Sequence, residues 1–99
     1  MDTVEFREIE SDKGRALTYE CGCYCVPVAG PADDGSPGFE HCCCGKVHFV
    51  GRGARRALED YLADRRRGRG TVEPQYVIGG ATAPLGQEQV EVAWAFPAE

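Results

Sequence analysis

The chain has 99 residues, of which 42% are hydrophobic and 27% charged, with a formal net charge of −5. That length allows one domain with a modest core, and domains this small commonly draw stability from a metal or from disulfides. No run approaches the roughly 18 consecutive apolar residues of a membrane span, and the opening MDTVEFREIE is too charged for a signal peptide. The expectation is a cytosolic protein without membrane attachment, in a compartment where thiols stay reduced.

The charge is uneven. Residues 51–70 hold seven arginines against Glu59, Asp60 and Asp64, a local +4, which leaves −9 on the other residues. An acidic chain with one basic element is not built as a general nucleic-acid binder.

In chain order, TVEFREI at 3–9 sets Val4 and Phe6 against Thr3, Glu5 and Arg7, the period-two pattern of a half-buried strand. SDKG at 11–14 is a turn, so a second strand from about Arg15 should pair back as a hairpin. In that strand Leu17, Tyr19, Cys21, Cys23 and Cys25 share one parity; if it stays extended, three thiols emerge on its apolar face. Residues 27–38, rich in Pro and Gly with Asp33 and Asp34 between, read as a loop of about a dozen residues, a length that usually closes over something. HCCCGKVHFV follows, with Gly45 allowing a tight turn and Val47 and Phe49 opening a short strand.

A helix is predicted over 53–67, where Ala54, Ala57, Leu58, Tyr61 and Leu62 form one apolar stripe. Arg65, Arg66 and Arg67 complement the dipole of its last turn as a solvated terminus, and Gly68 supplies a stop. Two strands close the chain: about Gln75–Ile78, broken by Gly79-Gly80, and Gln89–Phe96, in which Val90, Val92, Trp94 and Phe96 alternate with Glu91, Ala93 and Ala95. Trp94 and Phe96 are core candidates, and this last strand could form a sheet edge that pairs with a second copy. With no repeat and no internal boundary, the reading is one α+β domain over residues 1–99: a small antiparallel sheet, one packed helix and a cysteine-rich metal-binding region.

Six cysteines fall within the 24 residues from Cys21 to Cys44 and none elsewhere. CGCYC and HCCCGKVH offer eight candidate ligands: Cys21, Cys23, Cys25, Cys42, Cys43, Cys44, His41 and His48. Soft thiolates suit zinc, copper(I) or iron–sulfur clusters, and imidazole joins thiolate at zinc. Disulfides fit poorly, because neighbours in CCC could pair only as strained vicinal bonds. One tetrahedral zinc could take Cys21, Cys23, Cys42 and Cys44 and leave Cys25 and Cys43 spare. A knuckle using His41 and Cys44, or a two-metal cluster with bridging sulfurs, also accounts for the residues. If 42–48 is extended, Cys42, Cys44 and His48 share one parity. The count favours zinc, one ion or two, over copper(I) or an iron–sulfur cluster, whose usual cysteine spacings are absent. Each residue also has a plainer reading: Cys25 or Cys43 as small buried hydrophobes, the histidines as structural or solvated, Asp33 and Asp34 as loop residues.

CCCGKVHFV resembles the C-x-C-G-x-V-x-F signature of the glutathione-dependent formaldehyde-activating zinc family through Cys42, Cys44, Gly45, Val47 and Phe49. The resemblance covers about ten residues and implies zinc in a β-tent fold. That family's second group, C-x-C-x-x-C, is similar to CGCYC, which here comes first in the chain with its last spacing one residue shorter.

Three functions compete: a domain with a structural zinc that binds another macromolecule; a soft-metal handling protein that buffers, delivers or senses zinc, copper or toxic metals; and a zinc or thiol enzyme. No H-E-x-x-H, phosphate loop or nucleophile elbow is present, and no catalytic residue is assigned. The first reading is preferred, because ligands on two segments joined by a long loop make a folding staple. The surplus of thiols keeps the second in play.

Overall fold

A computed structural model describes residues 5–11, 14–23, 25–32, 34–69 and 76–97. Strands β1 (Arg7–Ser11), β2 (Gly14–Thr18) and β3 (Val28–Ala29) form a three-stranded sheet in that order. Strands β4 (Gly38–His41), β5 (Val47–Val50), β6 (Tyr76–Leu85) and β7 (Glu88–Pro97) form a second sheet in the order β4-β5-β7-β6. Every strand pairing is antiparallel. The helix α1 (Ala54–Arg69) lies between β5 and β6 in the chain.

The α+β class and the opening hairpin match expectation, with Ser11 opposite Gly14 at the turn. The β sheet is not single, however, and the reason lies on both faces of β5 and β7. Val47, Phe49, Ala93 and Ala95 pack under Ala54, Leu58 and Leu62 of the helix. On the opposite face Val50, Val92 and Ala83 meet Leu17 and Ala29 of the first sheet. The four-stranded sheet is thus the middle of three layers. This explains why all four residues of β5 are buried and why β7 carries small residues on its helix side, where the helix backbone must approach. Burying apolar surface on both faces supplies the main driving force for this arrangement.

Four sequence expectations change. The 27–38 segment is not all loop: β3 extends the first sheet by pairing Leu17 with Ala29, and Thr18 Oγ1 donates to Pro27 O at 2.6 Å. Gly79-Gly80 does not break a strand, because β6 runs through both in register with Trp94 and Ala93. β7 is not an edge: it is flanked by β5 and β6, and the outer strands are β4 and β6. The helix also runs past Gly68 to Arg69, since one glycine near a free end weakens a helix without stopping it. The predicted stripe holds, with Ala54, Leu58 and Leu62 buried and Ala57 and Tyr61 packed beside them.

The helix start has no Ser, Thr, Asp or Asn cap in its own segment. Glu91 on β7 supplies one from across the sheet, its carboxylate accepting Gly53 N–H at 3.1 Å and Arg55 N–H at 2.9 Å. A carboxylate there satisfies orphan donors and matches the positive end of the helix dipole. No described helix is long and apolar enough to cross a membrane. Expectations resting on Thr3, Val4, Asp33, Gln75 and the side chains of Arg66 and Arg67 lie outside the described residues.

Candidate metal centre

Strand β2 stops at Thr18, but the chain keeps its inward alternation for one more pair: Tyr19 and Cys21 are both buried. Gly22 then takes φ +84°, a conformation that glycine adopts without a Cβ clash. This ends the extended run, so the thiol face predicted for Cys21, Cys23 and Cys25 is broken after its first member. Cys23 is half-buried and Cys25 exposed.

The second cysteine group sits on a tight turn between β4 and β5. Cys42 N–H donates to Lys46 O at 2.8 Å and Gly45 N–H to Cys42 O at 2.9 Å. Gly45 has φ +93°, and a Cβ there would stand 2.9 Å from Pro97 Cγ. The turn ends the even parity of residues 42–48. It sends Cys42 inward and leaves Cys43 and Cys44 exposed.

The two segments meet. The ligand atoms of Cys21, Cys23, Cys42 and Cys44 all lie within 4.8 Å of one another, and those of Cys25, Cys42 and Cys43 form a second such group. Cys21 Sγ is 3.0 Å from Cys42 Sγ, and Cys25 Sγ is 3.4 Å from Cys43 Sγ. Tetrahedral coordination at a Zn–S distance near 2.3 Å needs sulfurs about 3.8 Å apart. The first group offers four sulfurs within 4.8 Å of one another, close enough that small side-chain shifts would reach this spacing, so the cluster could hold a metal ion. It is one of the combinations that ligand counting allowed for a single ion.

The electrostatics within the cluster are unequal. Hydrogen bonding from the Cys21 thiol, helped by the Cys44 backbone N–H, pulls Cys42 down to about 6. Burial, and then the hydrogen shared with Cys42, pushes Cys21 up. The hydrogen shared with Cys44 pushes Cys23 up, with burial adding to it. Cys43 rises to about 11 through the hydrogen it shares with Cys25. Crowded thiols cannot all ionise without a cation, which makes Cys42 the most readily available thiolate.

Lys46 is the residue that sequence reasoning passed over. Its ammonium donates to Cys21 O at 2.8 Å and lies 5.2 Å from the centre of the Phe96 ring. It ties the turn to the first cysteine segment and sets a cation at the rim of the thiols. Only its place between Gly45 and Val47 could have marked it, since its partner is 25 residues away.

Neither histidine joins the described thiol groups. His41 is exposed and stacks on Phe39, with ring centres 5.6 Å apart. His48 is fully buried between the two sheets, against Tyr19 at 4.8 Å and Phe6 at 5.4 Å. Its parity on β5 points it at the first sheet, because Val47 and Phe49 take the helix side. Burial lowers its pKa to about 4, so it is neutral at pH 7. An open cleft flanks the turn on the helix side, where Tyr61, Arg65 and Tyr76 stand alongside Cys42 and Cys43. On the helix itself, Arg55 pairs with Glu59 and Arg56 with Asp60, all four exposed.

Comparison of the chain with protein-family models, with curated proteins and with solved structures finds no match.

Proposed function

We propose that Cys21, Cys23, Cys42 and Cys44 hold one zinc ion, and that this ion is a structural cross-link in a small domain acting as a binding module. The observation that carries this reading is the convergence of four sulfurs, from two segments about twenty residues apart, to within 4.8 Å of one another. Four thiolates around a space for one ion match a closed, structural zinc site, which has no open position for substrate. A cluster of several irons with inorganic sulfide would require its cysteines further apart, and copper(I) rarely uses four thiolates.

The position of the ion supports a staple. Cys21 lies three residues past the end of β2 in the first sheet and Cys42 follows β4 of the second, so one metal would fasten both layers at the end of the sandwich. Folding free energy gained there would come from ligands that are disorganised in the unfolded chain. A binding role is supported by the outer strand β6, which exposes Val77 (51%) and Ile78 (40%) beside a backbone edge that pairs with no other described strand.

Native mass spectrometry and thermal unfolding, before and after chelation, test the reading. The expected result is one tightly held zinc whose removal unfolds the chain or lowers its melting temperature sharply. A metal-free protein with three disulfides, or an unchanged melt after complete zinc removal, would overturn it. The second thiol group, Cys25 and Cys43 with Cys42, is the observation that favours metal handling instead.

A further inference from the structure

Cys42 belongs to both thiol groups. It is also the most buried of the three cysteines in the second group, at 1% exposure, while Cys25 and Cys43 are exposed. A thiolate sulfur has lone pairs enough to bridge two metal ions. We infer that Cys25, Cys42 and Cys43 form a second, exchangeable site for a soft divalent cation, sharing the Cys42 sulfur with the structural ion. This rests on the zinc reading above and adds a metal-exchange role to it.

Geometry and charge both support the second site. The three sulfurs lie within 4.8 Å of one another, with Cys25 and Cys43 at 3.4 Å. Three protein ligands leave a tetrahedral ion one open position for water or for a ligand from a donor. A zinc with four thiolates carries a net charge of −2, which attracts another cation to the shared Cys42 sulfur beside the exposed Cys25 and Cys43. Exposure of two of the three ligands lets a competing thiol or chelator reach the ion. The first group retains its metal because it supplies four thiolates instead of three, two of them, Cys21 and Cys42, buried. Metal binding displaces a proton from each neutral thiol that becomes a ligand, so loading the second site releases protons and changes no oxidation state.

The reduced full-length chain would be titrated with zinc and weighed by native mass spectrometry at increasing chelator concentration. The wild type should bind two zinc ions and lose one at chelator levels that leave the other in place. Cys25→Ser and Cys43→Ser, singly and together, should bind one, with the melting temperature of the one-zinc wild type. Loaded with cadmium-113, the wild type should give two resonances split by metal–metal coupling through the shared sulfur. A wild type that never exceeds one ion, a double variant that keeps two, or two uncoupled cadmium resonances would overturn the second site. If the double variant loses the chelator-resistant ion too, the assignment of the structural tetrad fails instead.

Discussion

Gly79 and Trp94 face each other across the β6–β7 ladder, and a Cβ on Gly79 would sit 2.5 Å from the indole ring. The indole lies flat over the space that a side chain would fill. A large aromatic over a cross-strand glycine covers backbone that would otherwise be open. This is why the Gly-Gly pair lies inside a ten-residue strand instead of ending one.

Gly79→Ala should therefore destabilise the protein by about 1–3 kcal/mol through overpacking, outweighing the entropy gained from losing a glycine. Trp94→Leu removes the obstructing ring, so Gly79→Ala should cost markedly less in that background. Denaturant unfolding of the four proteins in a double-mutant cycle measures the coupling. Additive effects would show that the two positions do not meet.

Glu91 caps α1 from a distant strand. Glu91→Ala should lower stability by about 1–2 kcal/mol, as other lost caps do. Glu91→Gln should lose part of that, because one acceptor and the charge opposite the helix dipole are removed. The gap between wild type and Glu91→Gln should narrow in high salt, which urea melts at two ionic strengths would reveal.

His48 should make the fold acid-sensitive. Its folded pKa of about 4 lies below the ordinary 6.5, so as pH falls the unfolded chain takes up a proton before the folded one. Stability from this group is fully present above about 6.5 and is lost progressively down to about 4, on the order of 3 kcal/mol in total. His48→Phe, placed among Phe6, Tyr19 and Trp94, removes the titration. Thiol protonation and metal release act on both proteins alike, so the difference between their pH–stability curves isolates the histidine. Parallel curves between pH 7 and pH 5 would count against the buried, neutral ring.

Lys46 ties the cysteine-bearing turn to the first cysteine segment through Cys21 O. Lys46→Met keeps most of the apolar stem over Phe96 and removes the donor. Zinc affinity should fall roughly 10–100-fold, the usual range for groups that position ligands. Competition with a chromogenic chelator measures this, with Lys46→Arg expected to recover part of the loss.

Patterns within one element were legible in the residues themselves. The pairing of β1 back onto β2, the Ala54–Leu62 stripe and the alternation of 89–96 all follow from short-range patterns, which the chain obeys whatever it packs against. The grouping of Cys21 and Cys23 with Cys42 and Cys44 was one of several that ligand counting allowed, and only the fold brings these four sulfurs together. Other features depended on partners far away in the chain. Strand β3 is two residues long and exists only because β2 offers an edge. Ala93 and Ala95 look like the weak face of a strand until the helix lies on them.

What the sequence determined by itself is the chemistry: a concentration of thiols suited to a soft metal, in a small α+β chain. The tertiary structure decided how that chemistry is divided. Gly22 and Gly45 turn the backbone so that Cys21 and Cys42 face inward and Cys25 and Cys43 face solvent. The strand parity of β5 puts His48 between the sheets, away from the sulfurs it follows in sequence. Spacing names the ligands available; burial and the direction of each Cβ decide which of them can meet at one ion.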